Sequence, residues 1–471
     1  MKIFDFKNNP FSNELKNYKY NKLFVYCTFY TLLMPTFTTI IGSLCYLIGI
    51  KRIMPWLSLN VFPVTIVFCF LMLIFCTKTL LYGSYTYKSI WDFLKKHFEL
   101  LFLIAFAIWC FVISFFHDSF PTALLITNTN ESVIQEGYIF FITYIVFFFV
   151  AMCVKSQELI DIMIKTFLIN VGFICLLSFI DPLGNIFPSF YNQNTPWAAC
   201  FINSNHYGYY FSMSIVATAV IGVTTNKKWI MWSCLGLYVA LTIQLFLNDC
   251  LGAMIAIMIS LILLPIVLSI NKSKFEFKYL IPFGIFLVMS FIVSTFSEFY
   301  FSTYKSLFSE QLLGLAKDVD TVASDPTSAE AAKAGTTRWS LWMKAFKEIK
   351  ENPITGNGDV FLRPHNEYIQ YALVWGIPST VLYLSALGIL VVKSIRRIKN
   401  LNNTTLVCIF VVCSYCMSAF VGNTMPHVMP TFITFLAFAI RLVNATPLNN
   451  PKKIEETTLT NLKSSTTNDI S

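Results

Sequence analysis

Long apolar runs follow one another along this chain, and lysine and arginine gather in alternate connections between them. A run of about 20 apolar residues, wound as a helix, matches the hydrocarbon core of a bilayer. Twelve such runs can be placed by hydropathy: 23–50, 56–76, 101–116, 138–154, 163–180, 207–223, 230–247, 251–270, 279–296, 371–392, 405–421 and 428–443. The N-terminal segment carries Lys2, Lys7, Lys16, Lys19 and Lys22. Connections of the same parity carry Lys78, Lys88, Lys95, Lys96, Lys155, Lys227, Lys228, Lys272, Lys274, Lys278, Lys393, Arg396, Arg397 and Lys399, and the tail adds Arg441, Lys452, Lys453 and Lys463. The opposite segments 118–137, 181–206, 248–250 and 422–427 contain neither residue, and only Lys51 and Arg52 break the pattern. Short loops rich in Lys and Arg stay on the cytoplasmic side. The expected fold is therefore an all-α polytopic membrane protein of about 12 transmembrane helices with both termini cytoplasmic.

Composition agrees. The chain is 56% hydrophobic and 13% charged, where a soluble domain carries about 25% charged residues. Its net charge of +9 reads as a positive-inside signature helped by anionic membrane lipid, with no nucleic-acid partner implied. The 13 Cys are scattered, many within apolar runs (Cys69, Cys76, Cys110, Cys175, Cys408), and read as small packing residues. Cys413 and Cys416 form C-x-x-C, but inside a run expected to span the membrane. The polar N-terminal stretch lacks a small-residue cleavage site, so the first run is expected to stay as an anchor.

The chain divides accordingly. Residues 1–22 form a cytoplasmic segment, 23–296 carry spans one to nine, 297–370 form an extracytoplasmic loop, 371–443 carry the last three spans, and 444–471 form a cytoplasmic tail. The loop of 74 residues holds eight Lys or Arg and is long enough to be translocated regardless of charge. Its ASDPTSAEAAKAG stretch is small and polar. Further on, Leu341, Trp342, Ala345, Phe346 and Ile349 recur at helical spacing beside Lys344, Lys347 and Lys350. That pattern predicts an amphipathic helix on the outer bilayer surface with Trp at the interface; a solvated helix covering the bundle is the alternative. Pro353, Gly356 and Gly358 end it in a tight turn.

Chemistry needs polar groups, and they concentrate here. Of five His, His117, His206, His365 and His427 map outside and His97 inside. His206 and His365 each stand beside Asn where a span begins (NSNHYG, RPHNEY). A histidine at a membrane boundary can accept a proton near neutral pH or donate a hydrogen bond to phosphate. No His falls in close metal-ligand spacing, and Asp318 and Asp320 read as a solvated acidic pair. The GNGD sequence at 356–359 lacks a Walker lysine and follows no strand, so it reads as a turn delivering Arg363 and His365. Arg338 and Arg363 suit bidentate phosphate binding beside lipid; the alternative is that they neutralise nearby acids or lipid phosphates.

RPHNEYIQYALVWGIPSTVLYL resembles the H-N-x-x-(L/I) and G-(I/V)-x-G signature of the O-antigen ligase and O-antigen polymerase superfamily, with Ser379 at the last Gly position. TTRWSLWMKAFKEIKENPITGNGDVF resembles that family's R-x3-W…NP-(L/I)-x-G-x-G block, and CFINSNHYGYYFSMSIVATAV resembles its G-x-x-N-P-N-x-x-(A/G) span entrance. Order and spacing cover most of residues 160–440. The resemblance implies a GT-C-like glycosyltransferase of the bacterial cytoplasmic (inner) membrane. Such an enzyme takes glycan from an undecaprenyl-diphosphate donor on the outer face, without metal, nucleotide sugar or other cofactor, and transfers it to a glycan or lipid acceptor.

Carried onto this chain, Arg338 and Arg363 hold the diphosphate and stabilise its departure. His365 activates the acceptor hydroxyl or holds phosphate, with Asn366 supporting it. Asn205 and His206 line the facing wall. One departure is clear: where the family shows S-R-G-A, this chain has Leu251 at the arginine position. Either another cation substitutes or the donor is held differently. The resemblance implies polymerisation of lipid-linked repeat units into O-antigen or capsular polysaccharide, with a chain-length regulator protein as a partner. The alternative is ligation of the finished glycan to lipid A-core or another acceptor. A flippase or transporter fits less well, since it predicts internal repeats and charges deep in spans.

Overall fold

The computed structural model describes residues 21–47, 87–117, 138–154, 156–181, 201, 204–248, 250–300, 307–326, 328, 330, 333, 338–358, 362–422 and 428–448. The expected span 56–76, nearly all of the N-terminal segment and most of the tail lie outside these residues. Within them every regular element is helical: α1 (Asn21–Leu47), α2 (Tyr87–Lys96), α3 (Phe98–Ser114), α4 (Tyr138–Met152), α5 (Gln157–Ile180), α6 (Ser204–Thr224), α7 (Lys228–Asn248) and α8 (Leu251–Lys272). After a 3-10 turn at Phe277–Leu280 come α9 (Ile281–Tyr300), α10 (Leu307–Ser324), α11 (Arg338–Glu351), α12 (Glu367–Trp375), α13 (Ile377–Arg396), α14 (Asn403–Ser418) and α15 (Met429–Ala445).

Six of these helical segments are long and apolar enough to cross a membrane, and four more apolar helices are shorter. The described residues thus form an all-helical bundle of the kind a polytopic membrane protein has. The count falls below twelve partly because several apolar runs form short helices. The 17 residues of α3 or α15 rise only about 25 Å.

The centre of the bundle is α6, whose membrane-length window is 83% buried. It packs against α7, α8 and α14. Small residues allow the approach: a Cβ at Gly208 would run into Cys250, and one at Gly252 into Val421. Several polar side chains in this core bond one another, as an apolar solvent favours. Tyr207 Oη donates to Gln244 Oε1 at 3.1 Å, Gln244 Nε2 to Cys175 O at 2.7 Å, and Asn170 Nδ2 bonds Tyr210 Oη at 2.9 Å.

One expected span is broken. The run 371–392 folds as α12 and α13 separated at Gly376, which has φ of +81°. A Cβ there would strike the Ile354 carbonyl, so only glycine permits the approach. Pro378 then sits in the first turn of α13, where its missing N–H costs nothing. Ser379 stabilises the corner by donating to Tyr371 O and Gly376 O at 2.9 and 2.7 Å.

The ends of the bundle farthest from this corner are held by charge. Glu99, fully buried at the start of α3, pairs with Lys393 of α13 and accepts a hydrogen bond from Asn444 of α15. Lys393 also donates to Asn444 Oδ1 at 2.8 Å and to Lys96 O at 2.7 Å.

Candidate functional site

The segment between α11 and α12 is built on its own small core. Ala345 and Ile349 of α11 pack with Leu362 and with Ala372 and Leu373 of α12, flanked by Leu341 and Ile369. The amphipathic helix expected from sequence is therefore present, but its apolar face is turned at least in part onto protein. Trp342, expected at the lipid interface, donates its indole N–H to Pro364 O at 2.6 Å. This bond holds the backbone beside His365.

The glycine turn that ends α11 docks onto the end of α12. Asn357 N donates to Leu373 O at 2.8 Å and Gly358 N to Val374 O at 3.3 Å. These bonds satisfy carbonyls that a helix end leaves without partners. Gly356 and Gly358 have φ of +70° and +67°, and a Cβ on Gly356 would meet the backbone of Leu373 and Val374. His117 fixes the same turn through a 3.0 Å bond between Nε2 and Thr355 O. The 356–359 turn is thus a helix-docking device, with Asp359 outside the described residues.

From this frame the chain enters Arg363, Pro364 and His365. His365 adopts a left-handed backbone, φ +50°, a conformation uncommon outside glycine though enriched in Asn, Asp and His. Asn366 then caps α12: its Oδ1 accepts from Tyr368 N and Ile369 N, both at 3.0 Å, and its Nδ2 donates to Phe420 O at 3.0 Å. Both ends of this amide are engaged in holding the loop to α12 and to the end of α14.

Arg338 begins α11 and is half-buried, as are Arg363 and His365. Burial first, then the positive charges of Arg338 and Arg363, hold the His365 imidazole below the ordinary histidine value. It is therefore uncharged at neutral pH. The two arginines also connect this loop to α6: the charge of Arg363 acts on His206, and that of Arg338 on Tyr209. The charges of the two arginines thus reach both His365 and His206. Asn205 lies one residue before His206 and accepts from Cys250 Sγ at 3.4 Å, which ties it to the start of α8. Leu251, at the departed arginine position, is the first residue of α8. Among the described residues no three His, Cys, Asp or Glu side chains gather as a metal-ion site.

Beneath the loop Glu367, one of the polar residues at this span entrance, has partners that its position in the sequence does not show. Glu367 is completely buried and accepts from Tyr371 Oη at 3.0 Å and Tyr415 Oη at 2.7 Å. Tyr415 lies 48 residues away on α14, and Tyr368 Oη reaches the same helix at Cys416 O, 2.7 Å. A carboxylate at the first position of a capped helix is favoured by the helix dipole, so its placement in the first turn is readable in sequence. Its tyrosine partners are not.

Residues 236–384 match the family model described as O-antigen ligase. This stretch of the chain is similar to that family. It runs from α7 into α13 and includes Leu251, Arg338, Arg363, His365 and Asn366, while Asn205 and His206 precede it. The match supports the O-antigen ligase and polymerase superfamily, and with it a glycan-processing membrane enzyme. A comparison with curated proteins finds no match.

Proposed function

We propose that this chain is a glycosyltransferase that polymerises undecaprenyl-diphosphate-linked repeat units into O-antigen or capsular polysaccharide on the outer face of the bacterial inner membrane. The observation that carries the reading is the half-buried His365, set in left-handed backbone just before capped α12, where burial and the charges of Arg338 and Arg363 favour its neutral form. A neutral imidazole is a competent proton acceptor, and two guanidinium groups suit a leaving diphosphate.

In this reading His365 takes the proton of the acceptor hydroxyl as its oxygen attacks the anomeric carbon. The bond from that carbon to the diphosphate oxygen breaks, and the electron pair leaves on the diphosphate beside Arg338 and Arg363. Donor binding itself prepares the base: an arriving diphosphate offsets the arginine charges that disfavour imidazolium, so the proton affinity of His365 rises when substrate is present. His206 lines the facing wall with Asn205, and Asn366 keeps His365 in place. No metal or cofactor enters this scheme.

The matched family's description, O-antigen ligase, is equally compatible with a second reading, ligation of finished glycan to lipid A-core or another acceptor on the same scaffold. A deletion strain separates the two. Single repeats capping the acceptor indicate a lost polymerase, and full-length polymer left on undecaprenyl diphosphate indicates a lost ligase. Unchanged outer glycans overturn both. For the site itself, His365→Ala is expected to lower transfer about 100-fold or more with the protein still folded in the membrane. Near-normal transfer by that variant removes His365 from the chemistry.

A further inference from the structure

Helix α11 carries two apolar faces, and the bundle uses one of them. Ala345 and Ile349, with Leu341 beside them, pack onto α12 and Leu362. Trp339, Met343 and Phe346 follow at steps of four and three residues, so they share a second stripe. It lies roughly a third of a turn around the helix from the packed face. Met343 and Phe346 are exposed on it, and Trp339 is half-buried with its indole N–H bonded to Pro326 O at 3.0 Å. Lys350 continues the stripe and Lys347 borders it, both exposed.

Three observations say what covers this second face. The first is position. Helix α13 is long and apolar enough to cross a membrane, and Ile377, Val381 and Leu384 form an exposed row along its first turns. Such a row on a membrane-length helix meets lipid. Ile377 N donates to Pro353 O at 2.8 Å, the Ile354 carbonyl closes on Gly376, and the Ile354 side chain is exposed. The turn that ends α11 therefore sits at the head of the lipid-facing row, at the boundary of the bilayer. The second is the order of faces around α11. Protein lies on one side of the stripe, and the exposed Lys344, Lys347 and Glu351 lie on the other, the arrangement of a helix lying in a membrane interface. The third is charge. The stripe holds Lys350 and no acid, since Glu351 falls on the polar face and Glu348 accepts from Asn357. Lysine stems beside an apolar stripe lie along hydrocarbon while their ammonium groups reach phosphate. Two copies of the chain meeting here would set the same lysines against each other, which disfavours self-association.

We infer that the stripe of Trp339, Met343 and Phe346 rests in the bilayer surface on the His365 side, with Lys347 and Lys350 on the phosphates of anionic phospholipid. This seat sets the height of Arg338, the first residue of α11, and so ties the site loop to the membrane surface as well as to the bundle. It goes beyond the transfer reaction proposed above and does not require it.

The test uses the unmodified full chain in nanodiscs of mixed phosphatidylglycerol and phosphatidylcholine, one or the other carrying a diazirine on an acyl carbon near the ester. Photolysis of the phosphatidylglycerol probe should label Met343 and Phe346, and not Lys344 or Glu351. Peptides from 377–384 should be labelled by both probes and serve as the internal standard. Relative to them, phosphatidylglycerol should label α11 at least about threefold more than phosphatidylcholine, and Lys347→Gln with Lys350→Gln should remove that excess.

An unlabelled α11 beside labelled 377–384 shows that the stripe does not touch the bilayer and overturns the inference. Where lysine-reactive cross-links then join α11 of two chains, the stripe is an interface between copies. Equal labelling by the two probes leaves lipid contact without recognition of anionic lipid, and overturns the inference too. So do labels on Lys344 and Glu351 as strong as those on Phe346, because the helix is then not seated on one face. The labelling arm needs no variant and no transfer assay, so a misfolded double variant or a failed transfer reading leaves its result intact.

Discussion

The two ends of the bundle use charge in opposite ways. At the end holding Glu99, negative and positive groups meet in one closed set with Lys393, Asn444 and the Lys96 carbonyl, uniting α3, α13 and α15. At the end holding His365, burial first and then the charges of two arginines hold one imidazole toward its neutral form. The first arrangement satisfies itself. The second gathers like charge around a base, and an anionic ligand is what such a gathering favours. Similar side chains thus do structural work at one end and, on the proposed function, recognition work at the other.

The largest expected effect tests the closed end. Lys393→Ala leaves Glu99 buried without its ion-pair partner, which costs about 3–5 kcal/mol. Thermal unfolding in detergent should fall sharply, while transfer per folded molecule stays within about twofold, since removing a distant structural pair spares the machinery. Lost transfer with normal stability would erase the contrast between the ends.

Gly376→Ala tests whether the broken span matters to the site. A side chain at φ +81° against the Ile354 carbonyl should cost more than about 1 kcal/mol and shift the docked 353–358 turn. Both the unfolding temperature and transfer should drop. A variant that loses stability alone would show that the corner does not position His365.

A smaller effect is expected at the cap. Asn366→Ala removes the bonds to Tyr368 N and Ile369 N and should cost about 1 kcal/mol. Asn366→Asp keeps that acceptor and should recover most of the stability. Recovery of stability without transfer would show that the amide's bond to Phe420 O, or an amide contact to substrate, is needed.

The subtlest effect is in pH dependence. Because the folded His365 pKa is depressed, kcat/KM should hold down to a pH below the ordinary histidine value of 6.5 and fall as pH drops through the depressed value. Arg338→Gln removes one source of the depression and should move that acid limb upward. Arg338→Lys keeps the charge and should leave the limb nearly in place, so equal limbs in the two variants would show that the charge of Arg338 is not what acts on His365.

Much of the architecture was readable from hydropathy, because a membrane solvent forces helices wherever an apolar run is long enough. Among the described residues six helices are long and apolar enough to cross a membrane and four shorter apolar helices lie on other expected spans, while the run 371–392 is broken at Gly376. The break at Gly376 was hidden because hydropathy averages across a glycine in an apolar run; the sequence WGIP, with proline two residues on, was its local signal. Asn366 stands where an N-cap belongs, directly before an apolar run. What sequence could not supply was long-range pairing. Glu367 with Tyr415, and Trp375 Nε1 with Ser114 Oγ at 3.1 Å across 261 residues, arise only once α12 is folded back against α3 and α14. The pull of Arg338 and Arg363 on His365 likewise depends on the docking of α11, which charge counting along the chain does not show.

The left-handed backbone at His365 has a consequence for how this site can change. Asparagine is comfortable at such a position, so an Asn in place of His365 would keep the loop's shape and its cap while losing the imidazole. Chains of this type that carry Asn at the position should be sound membrane proteins that bind a lipid-linked glycan and do not turn it over. Held that way, the donor would be stored or handed on, and a single codon would separate an enzyme from a carrier.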